Sequence, residues 1–311
     1  MKILFIDTVH PFLKKTLEEK KYICDIAYKK NKEEIEQIIK RYEGIVIRSK
    51  FSIDKKFIDK AKKLKFIARA GVGTENIDIK YLKKKRIKCF NSGNANSQSV
   101  AEHALGMLLM LLNNINKTNN EVRKGIWKRE TNRGVELSGK TIAIIGFGNT
   151  GSRLAKLLKP FEVKILAYDK YLSKYPYQST MRQIYNQANI ISLHIPLTKE
   201  TTFLVNDLFI KKFKKPIYII NTARGKCVCT KSLVNGLKTK KILGACLDVL
   251  ENEKESFTEL SKEKGLDQNI KRLVKSTNVI LSPHIAGWTQ ESNYKIAKVL
   301  FEKITKNYAL V

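Results

Sequence analysis

Between residues 141 and 158 the chain reads Thr-Ile-Ala-Ile-Ile-Gly-Phe-Gly-Asn-Thr-Gly-Ser-Arg-Leu-Ala-Lys-Leu-Leu. The short β-branched run Ile142 to Ile145 reads as a strand covered on both faces of a parallel sheet. Gly146, Gly148 and Gly151 follow in G-x-G-x-x-G spacing. The first glycine suits a tight turn, the second lets phosphate approach the backbone, and the third lets a helix sit close on the strand. Leu154, Ala155, Leu157 and Leu158 form the inner face of that helix, whose free N–H groups and positive dipole end face an anion. A second strand, Val163 to Tyr168, ends in Asp169, 18 residues past Gly151. An acid there accepts hydrogen bonds from ribose hydroxyls and repels a 2′-phosphate. The stretch therefore predicts a dinucleotide site for NAD rather than NADP. Gly146, Gly148, Asn149, Thr150, Gly151 and Asp169 are expected to line it.

The rest of the chain keeps an α/β rhythm. Strands are expected at 2–6, 22–27, 44–48 and 65–69, with helices at 11–20, 32–40, 54–62 and 76–84. A turn-rich stretch, Asn91 to Gln98, marks a domain crossing. A long helix is expected from about Ser99 to Arg123, followed by a connecting arm over 124–140. After Asp169, strands are expected at 189–194, 217–220, 243–248 and from Val279, with helices at 203–213 and 230–238. Residues 251–277 read as a polar, charged insertion, helical or irregular, and a final helix covers 288–307. The expected architecture is α/β with two domains. A Rossmann-type doubly wound parallel sheet spans 98–287, and a smaller flavodoxin-like α/β domain combines 1–97 with 288–311.

Composition narrows the class. With 311 residues and 43% hydrophobic content the chain can build two cores, and no apolar run approaches a membrane span. The first residues enter a strand directly, so no signal peptide is expected. The five cysteines, at 24, 89, 227, 229 and 246, lack metal-knuckle or redox-pair spacing and read as reduced thiols in a cytoplasmic protein. No metal site is expected. The net charge of +31 comes mostly from lysines spread over every segment, without a nucleic-acid motif. Specific nucleic-acid binding is not expected, although loose polyanion binding at low salt is.

Three expected strands end in complementary chemistry. Asn221-Thr-Ala-Arg224-Gly225 offers an arginine, Leu247-Asp-Val-Leu-Glu-Asn-Glu253 carboxylates, and Ser282-Pro-His284 a histidine. In open α/β sheets ligands bind at the carboxyl ends of strands. Hydride transfer at a 2-hydroxy acid needs a proton-transfer group and a cation for the carboxylate, and gains from an acid beside the imidazole. His284, Arg224 and Glu253 supply one of each, and arginine can grip a carboxylate bidentately. In the smaller domain, Ile47-Arg48-Ser49-Lys50 and Arg69-Ala-Gly71-Val-Gly73-Thr74 close the third and fourth strands. Arg48, Lys50 and Arg69 are expected to point at one crevice and serve an anionic substrate, with the Gly71 and Gly73 amides reaching a carboxylate. Any of these residues alone is equally an ordinary surface group. Their joint placement behind the glycine fingerprint carries the reading.

Ordered blocks over nearly the whole length resemble the D-isomer-specific 2-hydroxyacid dehydrogenase family. They are Arg69-Ala-Gly-Val-Gly73 with Asn76-Ile-Asp78, Ser99-Val-Ala-Glu102, Arg123-x-Gly125-x-Trp127 and Leu137-Ser-Gly-Lys140. They continue with Ser192-Leu-His-Ile-Pro196-Leu-Thr198, Asn221-Thr-Ala-Arg-Gly225, Asp248-Val249 and Pro283-His-Ile-Ala-Gly287. The resemblance implies Arg224, Glu253 and His284 as the catalytic set. It implies Thr222, Ala223 and Asp248 as further NAD contacts, and Arg48, Ser49, Arg69, Gly71, Val72, Gly73, Asn96 and Arg129 as substrate contacts. It also implies a homodimer in which Arg129 reaches the partner's site.

Within the family the chain is most similar to the D-3-phosphoglycerate dehydrogenase branch of serine synthesis, whose members gather cations for a phosphate. Other readings are an unphosphorylated 2-hydroxy acid substrate (glyoxylate, hydroxypyruvate or D-lactate) and a non-catalytic NAD-sensing binder. Departures are the missing proline after Glu253, the long Glu253-to-His284 segment, and Asn149-Thr150 inside the fingerprint. No regulatory module follows the final helix, so feedback by serine is not expected.

Overall fold

The computed structural model describes residues 1–251, 253 and 267–309. The chain divides into two compact units, Met1–Asn96 with Trp288–Val311, and Ser97–Gly287.

The smaller unit alternates β1 (Lys2–Phe5), α1 (Pro11–Glu19), β2 (Ile23–Ile26), α2 (Lys32–Ile38), β3 (Gly44–Ile47), α3 (Lys55–Lys60), β4 (Phe66–Arg69), α4 (Ile79–Lys84) and β5 (Lys88–Phe90). Short polar residues start its helices. Asn31 and Glu34 form a reciprocal capping box, and Asp54 and Asp78 each accept from the amide three residues on. The strands are parallel in the order β2-β1-β3-β4-β5, the flavodoxin-type arrangement. Alternation along β1 fills two cores. Ile3 and Phe5 pack with Leu13 and Leu17 on one face, and Leu4 and Ile6 with Ile35 and Phe57 on the other. Each such fully buried side chain contributes roughly 1.5–3 kcal/mol. The edge strand β5 is an addition to the expected elements. Its three residues begin with exposed Lys88, so they give no apolar run.

The larger unit opens with α5 (Ser97–Leu112) and α6 (Ile115–Val122). The single helix expected over 99–123 is therefore broken. Asn114 adopts a left-handed conformation (φ 54°), which asparagine tolerates, and its amide donates to the Arg133 carbonyl at 3.2 Å. Then follow β6 (Thr141–Ile145), α7 (Asn149–Leu158), β7 (Lys164–Tyr168), α8 (Met181–Gln187), β8 (Ile190–Leu193), α9 (Asp207–Lys211), β9 (Ile217–Asn221), α10 (Thr230–Lys238), β10 (Ile242–Leu247), α11 (Gln268–Lys275) and β11 (Val279–Leu281). Helix α8 was not anticipated, and the helix expected at 203–213 contracts to α9. Of the charged stretch 251–277, residues 252 and 254–266 lie outside the described residues. The closing helix α12 (Gln290–Asn307) belongs to the smaller unit, where Ile296, Ala297, Leu300 and Ile304 join the core of Ile3 and Phe5.

Six parallel strands form the larger sheet, in the order β11-β10-β9-β8-β6-β7. Beyond β7, Ala167 pairs with Gln178 in a parallel bridge, a rudimentary further strand. With it the order becomes that of a doubly wound dinucleotide-binding sheet, and the strand order reverses between β6 and β8. The register places the last residues of all six strands in one row: Tyr168, Ile145, Leu193, Asn221, Leu247 and Leu281. Asp169, Gly146, His194, Thr222, Asp248 and Ser282 are thus the residues that follow six neighbouring strands.

Candidate active site

The turn after β6 is closed by two glycines, Gly146 and Gly151, whose places leave no room for a side chain. Gly146 has φ +93°, and a Cβ there would lie 2.5 Å from the His194 carbonyl oxygen. A Cβ on Gly151 would lie 2.1 Å from the Gly146 oxygen. A Cβ on Gly148 would meet nothing within 4 Å, so the helix start is open on the side a phosphate would approach. Gly148 and Asn149 are exposed there, with Thr150 half-buried.

Asp169 is held in place by backbone. Oδ2 accepts from Phe147 N–H at 2.9 Å, and Oδ1 accepts from Tyr171 and Leu172 N–H at 2.9 and 3.1 Å. The Tyr175 hydroxyl accepts from the Asp169 amide (2.7 Å), and its ring stacks on Phe147 with centroids 5.2 Å apart. A carboxylate with about four lone-pair sites retains capacity for ribose hydroxyls. Thr222 Oγ1 is buried without a hydrogen-bond partner among the described residues. The open glycine turn, the fixed acid and this orphaned hydroxyl all fit a bound dinucleotide. At the end of β8, His194 Nε2 lies 2.8 Å from Ser192 Oγ, and burial pushes the imidazole down to about 4. It is neutral at physiological pH.

Further along the row, β9, β10 and β11 are neighbours, so the loops bearing Arg224, Glu253 and His284 leave one edge within about 10 Å of one another. Glu253 Oε1 meets His284 Nδ1 at 3.0 Å, and both side chains are about one-third exposed (29% and 32%). Arg224 donates to the Ala223 carbonyl at 2.7 Å. The next residue has no room for a side chain, because a Cβ on Gly225 would lie 1.8 Å from the Leu250 oxygen. Ala223 is buried.

Asp248 is only 2% exposed. Its Oδ1 accepts from Ser282 Oγ at 2.6 Å and from Ile285 N–H at 2.9 Å, and its Oδ2 accepts from Ala286 N–H at 2.9 Å. The carboxylate expected among the NAD contacts is thus already engaged by the Pro-His turn. Ser282 and His103, which joins it through Nε2 at 2.8 Å, are parts of this network that sequence reasoning missed.

In the smaller unit, Ile47 and Arg69 are register partners, which brings the two expected anion loops to one edge. Asp7, another missed residue, organises the first of them. Its Oδ2 accepts from the amides of Arg48, Ser49 and Lys50 at 2.7, 3.0 and 3.1 Å. The Arg48 guanidinium stacks over Trp288, 4.6 Å from the ring centroid. Two expectations need correcting. Lys50 turns back, its Nζ donating to the Tyr28 carbonyl at 2.6 Å, so it does not share the edge with Arg48. The Gly71 amide donates to the Arg69 carbonyl at 2.9 Å and is committed within the loop. Arg69 lies across Gly71, where a Cβ would be 1.3 Å from Nη1. Val72 is 38% exposed, and Gly73 and Asn96 are half-buried. Arg129 stands exposed on the arm, and its side chain makes no hydrogen bond or ion pair among the described residues.

Among the described residues no helix is long and apolar enough to cross a membrane. Residues 105–286 match the family described as D-isomer specific 2-hydroxyacid dehydrogenase, NAD binding domain. The chain is 35% identical to the hydroxypyruvate reductase of Thermotoga maritima, over 90% of this chain and 89% of that one. It is also 35% identical to the D-3-phosphoglycerate dehydrogenase of Methanocaldococcus jannaschii, over 98% of this chain but 57% of that one. The chain therefore spans little more than half of that longer relative. The crystal structure of the Aquifex aeolicus D-lactate dehydrogenase, complexed with NAD and lactic acid, superposes with a TM-score of 0.82 at 28% identity, covering 99% of this chain and 95% of that one. The fold, the dinucleotide-ready glycine turn and these likenesses agree: the chain belongs to the D-isomer-specific 2-hydroxyacid dehydrogenase family, as an NAD-dependent enzyme.

Proposed function

We propose that the enzyme oxidises 3-phospho-D-glycerate to 3-phosphohydroxypyruvate, in the cytoplasmic pathway to serine. NAD, when bound, supplies the hydride acceptor, with the pyrophosphate on Gly146 to Gly151 and the adenosine ribose on Asp169. Thr222, whose buried hydroxyl lacks a partner among the described residues, and Ala223 are assigned to the cofactor as well.

The observation that carries the chemistry is the His284–Glu253 contact at 3.0 Å. With Nδ1 committed to Glu253, His284 presents Nε2 to the substrate. That nitrogen takes the C2 hydroxyl proton as the hydride leaves C2, and later releases it to solvent. Glu253 stabilises the imidazolium so formed. Arg224 binds the substrate carboxylate in its planar fork.

The smaller unit supplies substrate recognition. Arg48, held flat on Trp288, and Arg69 bind the anionic end, with Ser49, Val72, Gly73 and Asn96 alongside. This assignment favours a phosphorylated substrate. Exposed Trp127 (79%) with Val122, Ile126 and Val135 supports a homodimer formed through the arm, which also carries Arg129. All five cysteines are free, which suits a reducing compartment.

The second reading, reduction of hydroxypyruvate, is favoured by one observation: the chain covers 89% of a hydroxypyruvate reductase. NADH absorbance with 3-phosphoglycerate, 3-phosphohydroxypyruvate, hydroxypyruvate, glyoxylate and D-lactate decides between them. The phosphorylated pair is expected to give the highest kcat/KM. A preference for hydroxypyruvate would replace the first reading with the second.

A further inference from the structure

We propose that His103 is a positioning residue for His284, acting at a distance through Ser282 and Asp248. The inference rests on the reading of His284 as the proton-transfer group.

His284 sits in a turn with φ +57°, a conformation that non-glycine residues hold only where surrounding structure over-determines it. What determines it here is Asp248. The Asp248 carbonyl accepts the His284 amide at 2.7 Å, and its carboxylate collects the Ser282 hydroxyl and the amides of Ile285 and Ala286. One residue thus grips the turn on both sides of the catalytic imidazole.

Asp248 is buried, and its carboxylate, at 2.6 Å, is far the strongest of the acceptors open to Ser282, the others being Met107 Sδ at 3.7 Å and an unprotonated His103 Nε2. The hydroxyl hydrogen is therefore committed to Asp248. The Ser282 oxygen must then accept from its remaining neighbour, His103 Nε2, at 2.8 Å. That bond assigns the proton of His103 to Nε2, which also lies 3.6 Å from Asp248 Oδ1. Among these donors His103 alone comes from another element, α5. It orients the Ser282 hydroxyl, and Ser282 fixes the rotamer of the carboxylate that shapes the turn. Without it the Ser282 oxygen loses its donor, and Asp248 can rotate away from the Ile285 and Ala286 amides.

A shift of His284 by even an ångström matters for proton transfer while leaving cofactor contacts on the glycine turn untouched. The test uses the full-length enzyme carrying His103→Leu, His103→Gln, His284→Ala and the His103→Leu/His284→Ala pair. NADH binding is followed by fluorescence, with kcat, KM and Tm measured in parallel. His103→Leu should lower kcat about tenfold with the NADH Kd changed by less than about twofold. His103→Gln, which keeps an N–H donor near the Nε2 position, should recover most of the loss. In the His284→Ala background, His103→Leu should cost nothing further, because its effect passes through the missing imidazole. Three results would overturn the proposal: an unchanged kcat in His103→Leu, a loss of NADH binding in step with kcat, or full additivity with His284→Ala. The single His284→Ala variant separately tests the proton-transfer reading, which an undiminished kcat there would remove.

Discussion

His284 Nδ1 stands 3.0 Å from Glu253 Oε1 across 31 residues of sequence. Both side chains remain partly exposed, so the pair is accessible to a substrate and still close enough for the acid to orient the ring. Replacing His284 by alanine should reduce kcat by on the order of 10²–10⁴ while NADH binding persists. Glu253→Gln keeps a hydrogen-bond acceptor but removes the charge, and should cost less, about 10–10² in kcat. Stopped-flow single turnovers with saturating NAD measure both.

The stack of Arg48 on Trp288 fixes a guanidinium that would otherwise sample many rotamers. Such contacts contribute about 0.5–2 kcal/mol, so Trp288→Ala should raise KM for the phosphorylated substrate by about two- to thirtyfold. Arg48→Gln should raise it further, and neither change should alter NADH affinity. Equal KM values in wild type and both variants would remove Arg48 from substrate recognition.

His194 gives the fold an acid limb. Burial holds its pKa at about 4, below the value near 6.5 of the unfolded chain. The unfolded state therefore binds the extra proton first, and stability is lost as pH falls from about 6.5 toward 4. The loss approaches 3 kcal/mol at most, since part of the residue reaches solvent. Thermal melts between pH 4 and pH 7 should show it, and His194→Asn should flatten that part of the profile.

Gly225→Ala tests the close approach behind Arg224. The added methyl would meet the Leu250 oxygen at 1.8 Å, so one of the two loops must move. Overpacking of this kind costs about 1–3 kcal/mol. The variant should show a lower Tm together with reduced kcat, because the displaced loop carries Arg224. Calorimetry with parallel kinetics checks both.

The strands that carry the site could be read from sequence because buried parallel strands are nearly continuous apolar runs, as in Ile142 to Ile145. The strand-end residues Asp169, Arg224 and His284 followed from those runs. Strand β5 was invisible because Lys88 is exposed and the edge needs only three residues. The break between α5 and α6 was missed because its signal is two asparagines, one of which adopts φ 54° only with Asn132 and Arg133 nearby. Lys50 looked like a substrate cation, yet its partner carbonyl lies 22 residues away in sequence, at Tyr28. Asp7, His103 and Ser282 share this difficulty. Each acts through a partner 34 or more residues distant, and no local pattern records such a pairing.

The single row across the larger sheet also sets where the chain can change length. A residue gained or lost at the amino end of a strand falls in a connection on the edge opposite the row. Register can then be kept, and the six functional turns stay where they are. The same change inside a strand moves its turn by about 3.3 Å and swaps the two faces of every side chain before it. One edge of the sheet is thus free to drift in length while the other is fixed to the residue. Single-codon insertions scanned through the gene should separate the two edges cleanly, with activity surviving at one and lost at the other.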